Sequence, residues 1–163
     1  MLDELKRPEY IHVLLNPLPV YATAMGVTGL LVALLLRSRP AQIVGLVIVL
    51  IGCGSVWPVV EYGEKGADRV RSMSNADGEK WLDVHQHRAD ESAWVFYTTA
   101  ALAVVAMVAV WKFPKAGPWL AAATLVLAIV CVGLAGWISY AGGKVRHTEF
   151  RHGPPPAVPE RAH

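Results

Sequence analysis

Charge is scarce in this 163-residue chain: 17% of its residues are Asp, Glu, Lys or Arg, whereas 54% are hydrophobic. With a mean hydropathy of +0.38, that shortage excludes an ordinary soluble domain, in which about a quarter of residues carry charge. Cysteine is nearly missing. The two present, Cys53 and Cys131, fall inside apolar stretches, which excludes an extracellular disulfide framework and points to small apolar packing. No C-x-x-C-H occurs, so no c-type haem is covalently attached, and no paired C-x-x-C clusters exist for zinc. H-E-x-x-H, G-x-S-x-G, a phosphate loop and the Rossmann fingerprint are all absent, which argues against an enzyme. A net charge of +2 with no aromatic-interleaved basic patch excludes a nucleic-acid surface.

What the chain does have is four charge-free runs, Val20 to Leu36, Ala41 to Val60, Ala93 to Trp111 and Pro118 to Ala141. As helices they are about 26, 30, 28 and 36 Å long, enough to cross a hydrocarbon layer of about 30 Å. A soluble bundle would keep a polar stripe on each helix, and these have none. The expected fold is therefore all-α, a polytopic four-transmembrane-helix bundle made of two helical hairpins. Its spans cover about 18–36, 41–60, 93–111 and 118–141. Acidic residues Asp3, Glu4 and Glu9 precede the first run, which disfavours a cleavable signal peptide. Residues 1–152 are expected to form one membrane domain, with a disordered proline-rich tail over 153–163.

Four spans put both chain ends and a loop from Glu61 to Ser92 on one membrane face. The turns "RSRP" and "KFPKAG" lie on the other, each with two basic residues and a proline, a parallel that hints at an old duplication. A strict Lys/Arg tally places the loop side in the cytoplasm, whereas charge density favours the turns. We orient the turns inward, in the inner (cytoplasmic) membrane, with the long loop and the ends outside. Tryptophan and tyrosine gather at the span ends, as an interfacial belt requires. The pairs Ala22 and Gly26, Gly52 and Ser55, and Gly133 and Gly136 are spaced for close helix contact.

Histidine is the chemistry-bearing residue. His12, His85, His87, His147 and His152 all map to the loop side, and His163 is the last residue. If the third helix begins near Asp77, Trp81, His85, Ser92 and Phe96 share one stripe, while Lys80, Asp83, His87, Asp90 and Glu91 share the opposite one. His85 then faces inward and His87 faces water. Gly142 and Gly143 are expected to end the fourth helix, folding His147 and Glu149 back over the bundle mouth. Together with His12 and Glu61, they form a cluster suited to three chemistries. Two imidazoles can ligate a b-type haem, for which His85, His147 and His12 are the candidates. A transition metal would take His85, His147, Glu149 and Glu61. A His/Glu group can also relay protons. The structural alternative is interfacial histidines satisfied by backbone and water.

The segments "HVLLNPLP", "WLDVHQHRAD" and "GGKVRHTEF" resemble a bacterial family of membrane proteins described as domain of unknown function 2231, from about Tyr10 to Gly153. Members begin with a histidine seven residues before a proline, as His12 stands to Pro19. Many carry a second histidine two residues before that proline, where this chain has Pro17. Some members are joined to cytochrome c or Rieske-type domains. The resemblance therefore implies electron-transfer surroundings on the outer membrane face. The expected function is a histidine-lined site at one face, binding b-type haem or a metal ion for a redox-linked role. Its partners would be the lipid bilayer and redox proteins or other membrane subunits. The competing expectation is a cofactor-free structural or interaction subunit of a membrane complex.

Overall fold

The structure, a computed structural model, describes residues 4–158. Six α-helices, α1 (Pro8–Leu15), α2 (Pro17–Leu35), α3 (Arg39–Gly54), α4 (Val56–Ser72), α5 (Ala76–Lys112) and α6 (Gly117–Arg146), make four rods, because α1 runs into α2 and α3 into α4. No strand occurs among the described residues. All four rods are long and apolar enough to cross a membrane, so the chain is built as a multi-pass membrane protein.

The two breaks have local causes. Pro17 cannot donate to the carbonyl one turn back, and α2 starts at that residue. Pro58 likewise cannot donate to Gly54. The chain turns at Ser55, whose hydroxyl bonds the carbonyl of Gly52 at 2.7 Å. At the end of α2, Arg37 adopts a left-handed φ of 53°. Ser38 N–H then reaches Ala33 O and Arg37 N–H reaches Leu34 O, which closes the helix in a Schellman motif.

α2 pairs with α3 and α5 with α6; α2 also packs on α6, and α3 on α5. The buried faces are built of small residues, such as Ala103, Ala106, Ala121, Ala128 and Ala135, while Leu31, Val44, Ile51, Val105 and Val126 point outward. In water this would be inside out. In lipid, outward Leu and Val lose nothing, and inward small residues let helices approach. Gly26 lies against Val49, Gly45 against Leu30 and Gly52 against Thr23, in each case so closely that a Cβ would meet backbone.

Several expectations are corrected. The segment between Glu61 and Ser92 is not a loop: α4 continues to Ser72, three residues turn, and α5 starts at Ala76 under an Asn75 cap that accepts from Gly78 N–H at 2.8 Å. Gly142 and Gly143 do not end the last helix, which runs to Arg146; no glycine among the described residues has positive φ. Gly133 and Gly136 have nothing within 4 Å of a built Cβ and are not helix contacts. The extended helix ends pack together outside the charge-free core, where Trp81, Leu82, Val84, Ala141 and Val145 form a second apolar cluster that also holds Val158. The expected tail is non-helical over 153–158, and 159–163 lie outside the described residues.

Gly45→Ala would place a methyl 2.9 Å from the Leu30 backbone and should destabilise the bundle by about 1–3 kcal/mol. Gly133→Ala should be neutral or stabilising by up to about 1 kcal/mol. Thermal unfolding in mild detergent checks both, and equal effects would contradict the helix pairing.

Candidate functional site

A cleft of about 530 Å³ opens at the long-loop end between α1, α4, α5 and α6. Its floor is Val56, Phe96 and Ala135, its rim includes Arg69 and Arg146, and His12 and His85 line its wall. Its size is that of a cofactor pocket.

The two histidines are held in the same way by different halves of the chain. His12, on α1, donates Nδ1–H to the carbonyl of Val59 on α4 at 2.8 Å. His85, on α5, donates Nδ1–H to the carbonyl of Ile138 on α6 at 3.0 Å. A carbonyl can only accept, so both Nδ1 atoms carry hydrogen, and the tautomer this selects leaves Nε2 as the nitrogen with a lone pair. Four residues after each carbonyl stands a glycine against the ring. A Cβ on Gly63 would come within 2.8 Å of His12 Nδ1, and one on Gly142 within 3.0 Å of His85 Nδ1. The ring centroids are 6.2 Å apart with planes at 86°.

The same correspondence continues into the membrane. Thr23 and Cys53, from the first hairpin, have Oγ1 and Sγ 3.9 Å apart; Thr99 and Cys131, from the second, are 3.3 Å apart. First helix matches first helix, and second matches second. The two hairpins thus carry corresponding contacts in the same order along the chain, with the histidines near one end. The first hairpin is the one broken at Asn16 and Ser55, and the spacings differ there: Thr23 follows His12 by 11 residues, whereas Thr99 follows His85 by 14.

The remaining candidates lie elsewhere. His147 donates Nδ1–H to Glu149 Oε1 at 2.8 Å and stacks on Phe150 with ring centroids 5.0 Å apart, outside the cleft lining. Its own backbone N–H, followed by His147, holds the Glu149 carboxyl below the ordinary carboxylate range. Glu61 pairs with Lys65 at 2.7 Å. The set His85, His147, Glu149 and Glu61 is therefore not assembled, and among the described residues no three His, Cys, Asp or Glu come together to hold a metal ion. His87 pairs with Glu91 at 3.3 Å. Sequence reasoning grouped His85 with both His12 and His147, and missed the glycine seats and the accepting carbonyls. The sole trace was a shared G-x-K, Gly63-Glu64-Lys65 and Gly142-Gly143-Lys144.

Compared with known proteins, the chain matches no family model, no curated protein and no solved structure. The family resemblance thus rests on its three short motifs.

His85 lies two turns before the charge-free run that starts at Ala93, outside the span. Burial pushes it below the ordinary imidazole range; the bond to Ile138 opposes this, and His12 and Arg88 add to the lowering. The unfolded chain therefore binds the proton first. The stability contributed by neutral His85 is intact above about 6.5 and is lost as pH falls through the lower folded-state value. Thermal unfolding from neutral to acid pH should show this loss, and His85→Gln should remove part of it. An identical acid profile in the variant would contradict the burial.

Proposed function

We propose that the protein binds a b-type haem in the loop-side cleft, where His12 and His85 would hold it, in a redox-linked role. The observation that carries this reading is the matched pair: each imidazole is fixed by Nδ1–H on a backbone carbonyl, with Nε2 left to donate. Metal-ligating histidines are held by such a second bond. At metal–nitrogen distances of about 2 Å, two imidazoles facing across one ion have centroids about 6 Å apart, close to the 6.2 Å between these rings. The absence of a third ligand among the described residues weighs against a bare metal ion. It does not weigh against haem, whose porphyrin supplies four nitrogens and asks the protein for two. Apolar walls suit the macrocycle, and Arg69 and Arg146, which share the lining with Glu9, Glu64 and Asp90, suit its propionates. Bound there, haem would supply one-electron chemistry; the protein's part is to fix both ligands and exclude water.

The orientation belongs to the same proposal. With the two short basic turns in the cytoplasm, the cleft opens on the outer face of the inner membrane, where soluble redox partners can reach it. An activity reporter fused after the last residue should be active only outside.

Protein expressed with haem supply and purified in mild detergent should show a Soret band. His12→Ala and His85→Ala should each abolish or shift it, and His147→Ala should leave it unchanged. No Soret band overturns the reading and leaves a cofactor-free membrane subunit; loss in the His147 variant alone overturns His12 and His85 as the ligands.

A further inference from the structure

The seam between α5 and α6 carries a second set of paired contacts, among residues that do not line the cleft. The two helices form a hairpin and run antiparallel, and two rungs across the seam mirror one another. In one, Lys144 Nζ of α6 lies over the Trp81 ring of α5, 4.4 Å from its centroid; in the other, the Arg88 guanidinium of α5 lies over the Trp137 ring of α6 at 4.3 Å. Arg88 also donates to the Trp137 carbonyl at 2.7 Å. Tyr140 stands between the rungs. Its ring centroid is 4.0 Å from Lys144 Nζ, and its hydroxyl accepts from that ammonium at 2.7 Å. The rungs are two turns apart on each helix, about 10.5 Å. Side chains lean towards the N-terminus of their own helix, so on antiparallel helices Arg88 and Lys144 lean towards each other and towards Tyr140.

This seam is rich in donors and short of anions. Neither cation pairs with a carboxylate among the described residues, and Lys144 is 5% exposed, where an unbalanced ammonium is costly. Having accepted from Lys144, the Tyr140 hydroxyl keeps its own hydrogen to donate. Trp81 Nε1, in the same cluster, is buried with no hydrogen-bond partner among the described residues. Depth narrows the choice of anion. Arg88 precedes the third charge-free run by five residues and Lys144 follows the fourth by three, which places them about 8 and 5 Å beyond the hydrocarbon edge, at the level of lipid headgroups. Trp94, Trp137 and Tyr140 stay exposed there, as rings anchored at an interface do. We propose that this seam binds the phosphate of one anionic phospholipid, with Arg88 and the Tyr140 hydroxyl donating to its oxygens and Lys144 supplying countercharge behind the phenol. Guanidinium matches the geometry of phosphate oxygens. A zwitterionic lipid would bring its own ammonium to a place that already holds two cations, so a lipid of net negative charge is preferred. The site shares no residue with the cleft and does not depend on the haem reading.

The full chain in mild detergent is offered equal amounts of phosphatidylglycerol and phosphatidylcholine with the same acyl chains, and native mass spectrometry reads which lipid is retained. One phosphatidylglycerol should persist per chain, preferred by about fivefold for each of the two cations. Arg88→Gln should cut that preference about fivefold, and Tyr140→Phe, which keeps the ring, should also lower it. Lys112→Gln removes a cation from beside Trp111 at the other membrane face and should leave it unchanged. Inorganic phosphate at millimolar concentration should not displace the lipid. Equal retention of the two lipids by the unaltered protein overturns the proposal and needs no variant to fold. An unchanged preference in both the Arg88 and Tyr140 variants overturns it too, as does an equal loss in the Lys112 variant. Displacement by inorganic phosphate would make this a site for a soluble anion and likewise overturns the lipid assignment.

Discussion

Close approach of helices inside each hairpin is the constraint on which the rest of the molecule depends. In lipid, helices gain nothing by hiding leucine from the solvent, so they associate where backbones can come near and make many contacts. Gly26, Gly45 and Gly52 permit this between α2 and α3. Outside the apolar core, Gly63 and Gly142 do the same for side chains, each leaving room for one imidazole. Were these helices a methyl group further apart, neither Nδ1–H would reach the facing carbonyl.

The matched hairpins give that constraint its functional consequence. A single hairpin positions one histidine, one threonine and one cysteine. Two docked hairpins bring His12 together with His85 near the long-loop end and bury Cys53 and Cys131 in one apolar core. Under the proposed haem reading, each half supplies one imidazole and neither supplies both. The breaks at Asn16 and Ser55 let the first hairpin adjust its register, since its spacings differ from those of the continuous second hairpin.

Much of the fold was legible because lipid imposes a simple rule on sequence. Charge-free runs of about twenty residues are spans, and the four of them implied two hairpins. The ends were less legible. The segment after Glu61 is charged and contains Gly63 and Gly66, which reads as a loop, but packing of α1 on α4 keeps it helical to Ser72. Gly142 and Gly143 read as a stop, yet Gly142 is small because His85 rests on it. Tertiary contact overrides local propensity at both places. The inward phase of His85 could be read from helical periodicity, because Trp81, Ser92 and Phe96 share its stripe. Which of His12 and His147 it meets could not. That His85 meets His12 and not His147 depends on how far two helices extend and on how two hairpins dock, and no single helix encodes either.

The central claim is that the two hairpins bring positions 12 and 85 together at one end of a lipid-solvated bundle. Its most direct test is cross-linking in the membrane, in a Cys53→Ser/Cys131→Ser background. A short bifunctional thiol reagent should bridge His12→Cys to His85→Cys within one chain, because the two side chains face each other across the cleft, and should not bridge His12→Cys to His147→Cys. Cross-linking of the second pair and not the first would contradict the account.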